Sequence, residues 1–167
     1  MNPNKRLIRI GKIKKKKSLD KIPTPVAKPQ IREVVINTCY GGFGLSHDAV
    51  TEYYKRKGIT VYPFVDKKGS DGNLFEPYTG QENAFLIHYS SQPLKEDGTY
   101  NEESYLAAER ELERDDPDLV AIVKEMGKEA SGRCAELKIV EIPADVEWKI
   151  EEYDGIEWIS EAHRTWR

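Results

Sequence analysis

From residue 31 onward, apolar residues fall into short blocks whose spacing predicts alternating strands and helices. Val34-Val35-Ile36 is a β-branched run of the kind found in a strand covered on both faces, and it stops at Asn37-Thr38. A glycine-rich stretch, Cys39 to Leu45, leads to Ser46, a favoured N-cap residue. The following Asp48 to Tyr54 predicts a helix that stops at Gly58, after three basic residues suited to the negative end of its dipole. Ile59 to Val65 reads as the next strand, so the order is strand, glycine turn, helix, strand.

Residues 67 to 83 are polar and turn-rich, with Asp71-Gly72 as a hairpin signal only if its flanks pair. Ala84 to Tyr89 predicts a strand. Glu102 to Glu113, with Tyr105, Leu106 and Leu112 among many charges, predicts a largely solvated helix. Asp116-Pro117 places an N-cap before a first-turn proline, and Leu119, Ile122, Val123, Met126 and Ala130 share one helical face, with Gly132 as the stop. That stripe has the character of core. Leu137 to Ile142 reads as a strand ended by Pro143, and Val146, Trp148 and Ile150 alternate with charges as in a strand with one wet face. Asp154-Gly155 is a turn, after which Ile156, Ile159, Ala162, His163 and Trp166 fall at helical spacing.

The first thirty residues break this pattern. They hold ten basic residues, including the run Lys14 to Lys17, against the single acid Asp20, a net of +9, whereas residues 31 to 167 carry a net of −12. With few aliphatics and prolines at 23, 25 and 29, residues 1 to 30 are expected to be a disordered basic arm, followed by a single domain over 31 to 167. Together these predict a small α/β or α+β domain of about five short strands with two or three helices. No apolar run reaches the roughly 18 to 20 residues of a membrane span, and no apolar h-region opens the chain, so a soluble intracellular protein is expected. An arm of this charge can hold phosphates by counterion release, so any nucleic-acid contact is assigned to it alone; the acidic remainder is a poor surface for nucleic acid.

The chemistry-bearing candidates centre on Asn37, Thr38, Gly41, Gly42, Gly44 and Ser46. Glycines between a strand and a helix N-terminus let backbone approach a ligand, and the helix end favours an anion. The stretch lacks the Gly-Lys-Ser/Thr ending of a P-loop and the G-x-G-x-x-G spacing of a dinucleotide fold, so neither nucleotide hydrolysis nor a dinucleotide cofactor is indicated. The competing reading is a tight turn whose glycines serve geometry alone. Arg164 and Trp166, in the cluster Glu161 to Arg167, are candidates to clamp a phosphate and stack on a base; the competing role is to anchor the last element. Cys39 would be a nucleophile if His47 or His88 lay beside it, and is otherwise a core thiol. His163 is the alternative catalytic candidate. Two cysteines are too few for a disulfide framework, and no spacing of Cys, His or carboxylates indicates a metal site. Glu147, Glu151, Glu152, Asp154 and Glu157 are expected on a solvated face.

Three blocks taken together, Val35 to Ser46 with its Gly-Gly-Phe-Gly-Leu-Ser core, Asp115 to Leu119, and Glu141 to Trp166 with Ile150-Glu151-Glu152-Tyr153-Asp154-Gly155 and His163-Arg164-Thr165-Trp166, resemble a family of small uncharacterised proteins of tailed bacteriophages and prophages. The resemblance spans roughly residues 31 to 167. It implies an accessory protein made in the bacterial cytoplasm, handling a small molecule or a host protein, and it transfers no catalytic role to any residue. The expectation is therefore a non-enzymatic binder of an anionic small molecule such as a nucleotide at Gly41 to Ser46. The alternatives are a small enzyme on a phosphorylated or carbonyl substrate using Cys39 or His163, and an interaction module working through the basic arm.

Overall fold

A computed structural model describes residues 30–69, 74–80, 84, 86–107 and 112–162. The basic arm apart from Gln30, the Asp71-Gly72 signal, Phe85, and His163, Arg164 and Trp166 lie outside these residues.

Strand β1 (Ile31–Asn37) pairs antiparallel with β5 (Leu137–Pro143) in a register running from Ile31 opposite Pro143 to Asn37 opposite Leu137. Helix α1 (His47–Arg56) starts where the side chain of Ser46 accepts a hydrogen bond from the Ala49 N–H. It buries Ala49, Val50, Tyr53 and Tyr54 against α2 (Pro117–Met126), whose Leu119, Val120, Ile122 and Val123 are also buried. Leu119 and Ile122 are fully covered, and such side chains each contribute about 1.5–3 kcal/mol of burial free energy. Helix α2 ends sooner than Gly132: Gly127 takes φ +59° and the chain continues as a short 3-10 turn to Ala130. Strand β2 (Tyr62–Asp66) is central to a second antiparallel sheet, between β3 (Phe75–Pro77) and β4 (His88–Ser90). Strands β6 (Trp148–Tyr153) and β7 (Ile156–Glu161) form a separate hairpin.

Three small antiparallel sheets with two α-helices make this a mixed α+β fold. Strands β1 and β2 do not share a sheet, so the strand-turn-helix-strand order is not a parallel crossover unit.

Two predicted helices take other forms. Among the described residues of the 102 to 113 segment only Glu102–Ser104 makes a turn of 3-10 helix; Tyr105 then bridges Ser90, and Leu106 N–H donates to the Tyr89 carbonyl at 2.9 Å. Its few apolar residues offer no continuous stripe to bury, and extended pairing with β4 wins. The segment from Ile156 is strand β7 because Asp154 and Gly155 both adopt positive φ, 52° and 87°, the geometry of a two-residue hairpin turn. Strand β3 falls inside the stretch read as polar and turn-rich, where Phe75 packs edge-on against Phe64 at 5.2 Å between ring centres.

Asp116 joins the two helices. Its carboxylate caps α2 by accepting from the N–H groups of Asp118 and Leu119, and it binds the Lys57 ammonium at 2.8 Å and the Tyr53 hydroxyl at 3.3 Å. Burial pushes its carboxyl upward, but Lys57 and the two N–H donors outweigh that and hold it below the ordinary value of 3.8. Burial first, and then the charge of Asp116, push the Tyr53 hydroxyl up to about 12. A depressed carboxyl stabilises the fold above its unfolded value and loses that contribution as pH falls through the folded one. Asp116→Ala is therefore expected to cost about 1–2 kcal/mol near neutral pH, with a deficit that narrows below about pH 4 as the wild-type carboxyl protonates; urea denaturation of both proteins at neutral and acid pH measures it.

Candidate functional site

The segment between β1 and α1 is held from below by Asn37. Its side chain is fully buried: Nδ2 donates to the carbonyls of Cys39 and Gly155, each at 2.6 Å, and Oδ1 accepts from the Glu136 N–H at 2.7 Å. Its backbone N–H donates to Glu157 Oε2 at 2.8 Å. Thr38 is likewise committed, its N–H and hydroxyl both donating to the Glu136 carbonyl at 2.8 and 3.0 Å.

Past Thr38 the chain packs backbone to backbone. A Cβ at Gly41 would lie 1.5 Å from the Cys134 carbonyl oxygen, and one at Gly155 would lie 2.5 Å from the Gly42 nitrogen. Gly42 itself turns at φ +83°. Farther on, Gly132 N–H donates to the Gly44 carbonyl and Ser46 N–H to the Ala130 carbonyl, both at 2.9 Å. Glycines here serve close approach between three chain segments: residues 40–44, 132–134 and the β6-β7 turn.

Glu157 and Arg114 brace the same loop from behind. Arg114 donates through both terminal nitrogens to the two Glu157 oxygens at 3.0 and 2.9 Å, and its guanidinium carbon sits 3.3 Å from the centre of the Phe43 ring. Glu157 is only 8% exposed, which corrects its placement on a solvated face. Trp158, on the opposite face of the hairpin, is 43% exposed.

In front of the loop lies a cleft of about 410 Å³. Gly41 to His47 form one wall, Gly132 to Ala135 a second, and Ala84, Leu86, Ile87 and Tyr89 a third that is largely apolar. Of the residues singled out from sequence, Gly41, Gly42, Gly44 and Ser46 line this cleft, whereas Asn37 and Thr38 are not among its lining. The Ser46 hydroxyl is engaged as the α1 cap at 3.2 Å from the Ala49 nitrogen. The first-turn N–H groups of His47 and Asp48 have no acceptor within the helix.

The structure adds two polar side chains to the lining, Arg133 and His47. His47 stacks on Tyr89 with ring centres 5.8 Å apart, packs edge-on to Tyr78 at 5.1 Å, and has Nδ1 3.1 Å from the Tyr89 hydroxyl. The pointer to Arg133 in the sequence was its neighbour Gly132, which allows close approach to Gly44; a Cβ there would fall 3.0 Å from the Gly44 carbonyl carbon.

The Cys39 thiol contacts Asn37 Oδ1 at 3.4 Å and the Cys134 carbonyl at 3.1 Å. Neither candidate base is its recorded partner: His47 pairs with Tyr89, and His88 stacks on Phe64 with Nδ1 3.4 Å from the Tyr105 hydroxyl. Among the described residues, no group of three or more His, Cys, Asp or Glu side chains is arranged to hold a metal ion, and no helix is long and apolar enough to cross a membrane.

Comparison with protein-family models, with curated proteins and with solved structures yields no match for this chain.

Proposed function

We propose that the chain binds a small organic anion, with a nucleotide as the favoured class, in the cleft bounded by Gly41 to His47 and Gly132 to Ala135, and that it does so without covalent chemistry. The observation that supports this most is convergence: the glycine loop, the N-terminus of α1 and Arg133 border one cleft whose remaining wall is apolar. Open N–H groups at a helix start favour negative charge, and the Arg133 guanidinium adds a positive charge at the same cleft. The apolar wall of Leu86 and Ile87 suits a flat apolar portion of the same ligand. The resemblance of residues 31 to 167 to small phage proteins supports reading such a binder as an accessory protein in an infected bacterial cytoplasm. The same resemblance implies host-protein handling as an alternative, but the cleft favours a small molecule.

A thermal-shift series with nucleoside monophosphates, the matching uncharged nucleosides and inorganic phosphate tests the reading. Monophosphates are expected to raise Tm more than either of the others; no shift with any of the three series overturns it. Arg133→Ala is expected to weaken monophosphate binding roughly tenfold or more, the effect of losing one charge-assisted contact.

A further inference from the structure

We propose that Cys39 and Cys134 are a modification site: a thiol pair that a disulfide oxidant closes into a reversible intramolecular bond beneath the glycine loop. They are the only two cysteines in the chain and both are free thiols in the structure. Although 95 positions apart, they touch, the Cys39 sulfur lying 3.1 Å from the carbonyl oxygen of Cys134 itself.

Their backbones are fixed close together by independent ties. The Thr38 N–H to Glu136 carbonyl bond continues the β1-β5 ladder one step beyond Asn37 opposite Leu137, which brings Cys39 alongside the 134–135 segment. The Gly41 backbone lies so close that a Cβ on it would fall 2.6 Å from the Cys134 Cβ. Cys134 sits in a turn closed by the Ala135 N–H on the Gly132 carbonyl, so its side chain is released from the strict up-down alternation of a strand. Cys134 is one position from Ala135, the residue that the ladder sets opposite Cys39, and a disulfide spans Cα atoms about 4.4–6.8 Å apart.

Accessibility gives the pair an order of events. Cys134 is exposed and lines the cleft, whereas Cys39 is half-buried behind it. Oxidised glutathione therefore meets Cys134 first. The Cys134 thiolate attacks one glutathione sulfur, forming a protein-glutathione disulfide and releasing one glutathione thiolate. Cys39, deprotonated to solvent, then attacks the Cys134 sulfur and displaces the second glutathione as thiolate. The two protein thiols lose two electrons, glutathione disulfide gains them, and the two protons end on two glutathione thiols. The product ties the end of β1 to the 132–135 turn and changes the wall of the cleft. It does not depend on what the cleft binds.

The test is incubation of the full native chain with oxidised glutathione, followed by intact-mass and non-reducing peptide mapping. The expected product is monomeric, lighter by two hydrogens, with one Cys39-Cys134 cross-linked peptide, a Tm higher by roughly 5 to 10 °C, and full reversal by reduced thiol. Cys39→Ser should stop at a persistent glutathione adduct on Cys134. Glutathione carried on both cysteines, cross-linking only between chains, or no modification while circular dichroism shows a folded chain would each overturn the proposal. Repeating the reaction in urea keeps it decisive: the ratio of intramolecular bond to mixed adduct should fall at least tenfold, and an unchanged ratio would mean that the fold contributes nothing to the pairing.

Discussion

Gly41→Ala is expected to lower stability by about 3 kcal/mol or more and to abolish ligand binding in the cleft. The added methyl would sit 1.5 Å from the Cys134 carbonyl oxygen, 2.5 Å from its carbon and 2.6 Å from the Cys134 Cβ. Two of these are backbone atoms, so no rotamer change relieves the clash. The glycine loop and the 132–135 turn must separate, and they are two of the cleft's walls. Gly42→Ala is the matched control. Its methyl would meet nothing within 4 Å, and its cost comes from the φ of +83° alone, about 1–2 kcal/mol for a side chain in the left-handed region. Urea denaturation of the three proteins reads the difference. Equal costs at the two positions would show that the contact between Gly41 and Cys134 is not what shapes the loop.

Glu157→Ala is expected to be the most damaging side-chain truncation behind the site, at about 3–5 kcal/mol. It removes both oxygens that receive Arg114, one of which, Oε2, also receives the Asn37 N–H. What remains is a guanidinium, 15% exposed at its side chain, with a long 3.4 Å bond to the Val35 carbonyl and the face of Phe43. A charge left in that setting has lost its partner without regaining water. Pairing Glu157→Leu with Arg114→Met should recover much of the loss, because the replacement removes both charges together; the double-mutant cycle measures the coupling. Since Phe43 lines the cleft and packs under Arg114, the single variant should also weaken ligand binding, and the double variant should restore stability more fully than affinity.

Local signals carried much of this fold. Ser46 before α1 and Asp116-Pro117 before α2 are cap chemistry confined to a few neighbouring residues, and both helices begin where those residues place them. The β-branched content of Val34 to Ile36 and Leu137 to Ile142 likewise marked β1 and β5. Their pairing with each other was not legible, because nothing local links segments a hundred positions apart. Only the second strand of the C-terminal hairpin, β7, departs from the sequence reading, for a different reason: Ile156, Ile159 and Ala162 satisfy a helical spacing by coincidence, while the Asp154-Gly155 turn with alternating flanks was the stronger instruction.

The same logic governs the site. Gly41, Gly42, Gly44 and Ser46 were legible as a loop that approaches something closely, and they do line the cleft. That the close neighbours are also Cys134 and Gly155 of this chain was not, since glycine spacing does not say whose backbone is approaching. Asn37 looked like a ligand donor and is an internal tie, and Glu157 looked solvated and is buried; both errors come from reading a polar side chain without its tertiary partner. Arg133 was missed because its neighbour Gly132 reads as a helix stop until the fold sets it against Gly44.

Titrating a uniformly labelled sample with adenosine monophosphate and following backbone amide shifts is the most direct test of anion binding at this cleft. Saturable shifts should concentrate on Gly41 to Asp48 and Gly132 to Ala135, with a smaller set on Leu86 to Tyr89, and they should weaken in Arg133→Ala. Shifts absent from these segments, or saturable shifts confined to other surfaces, would contradict the account.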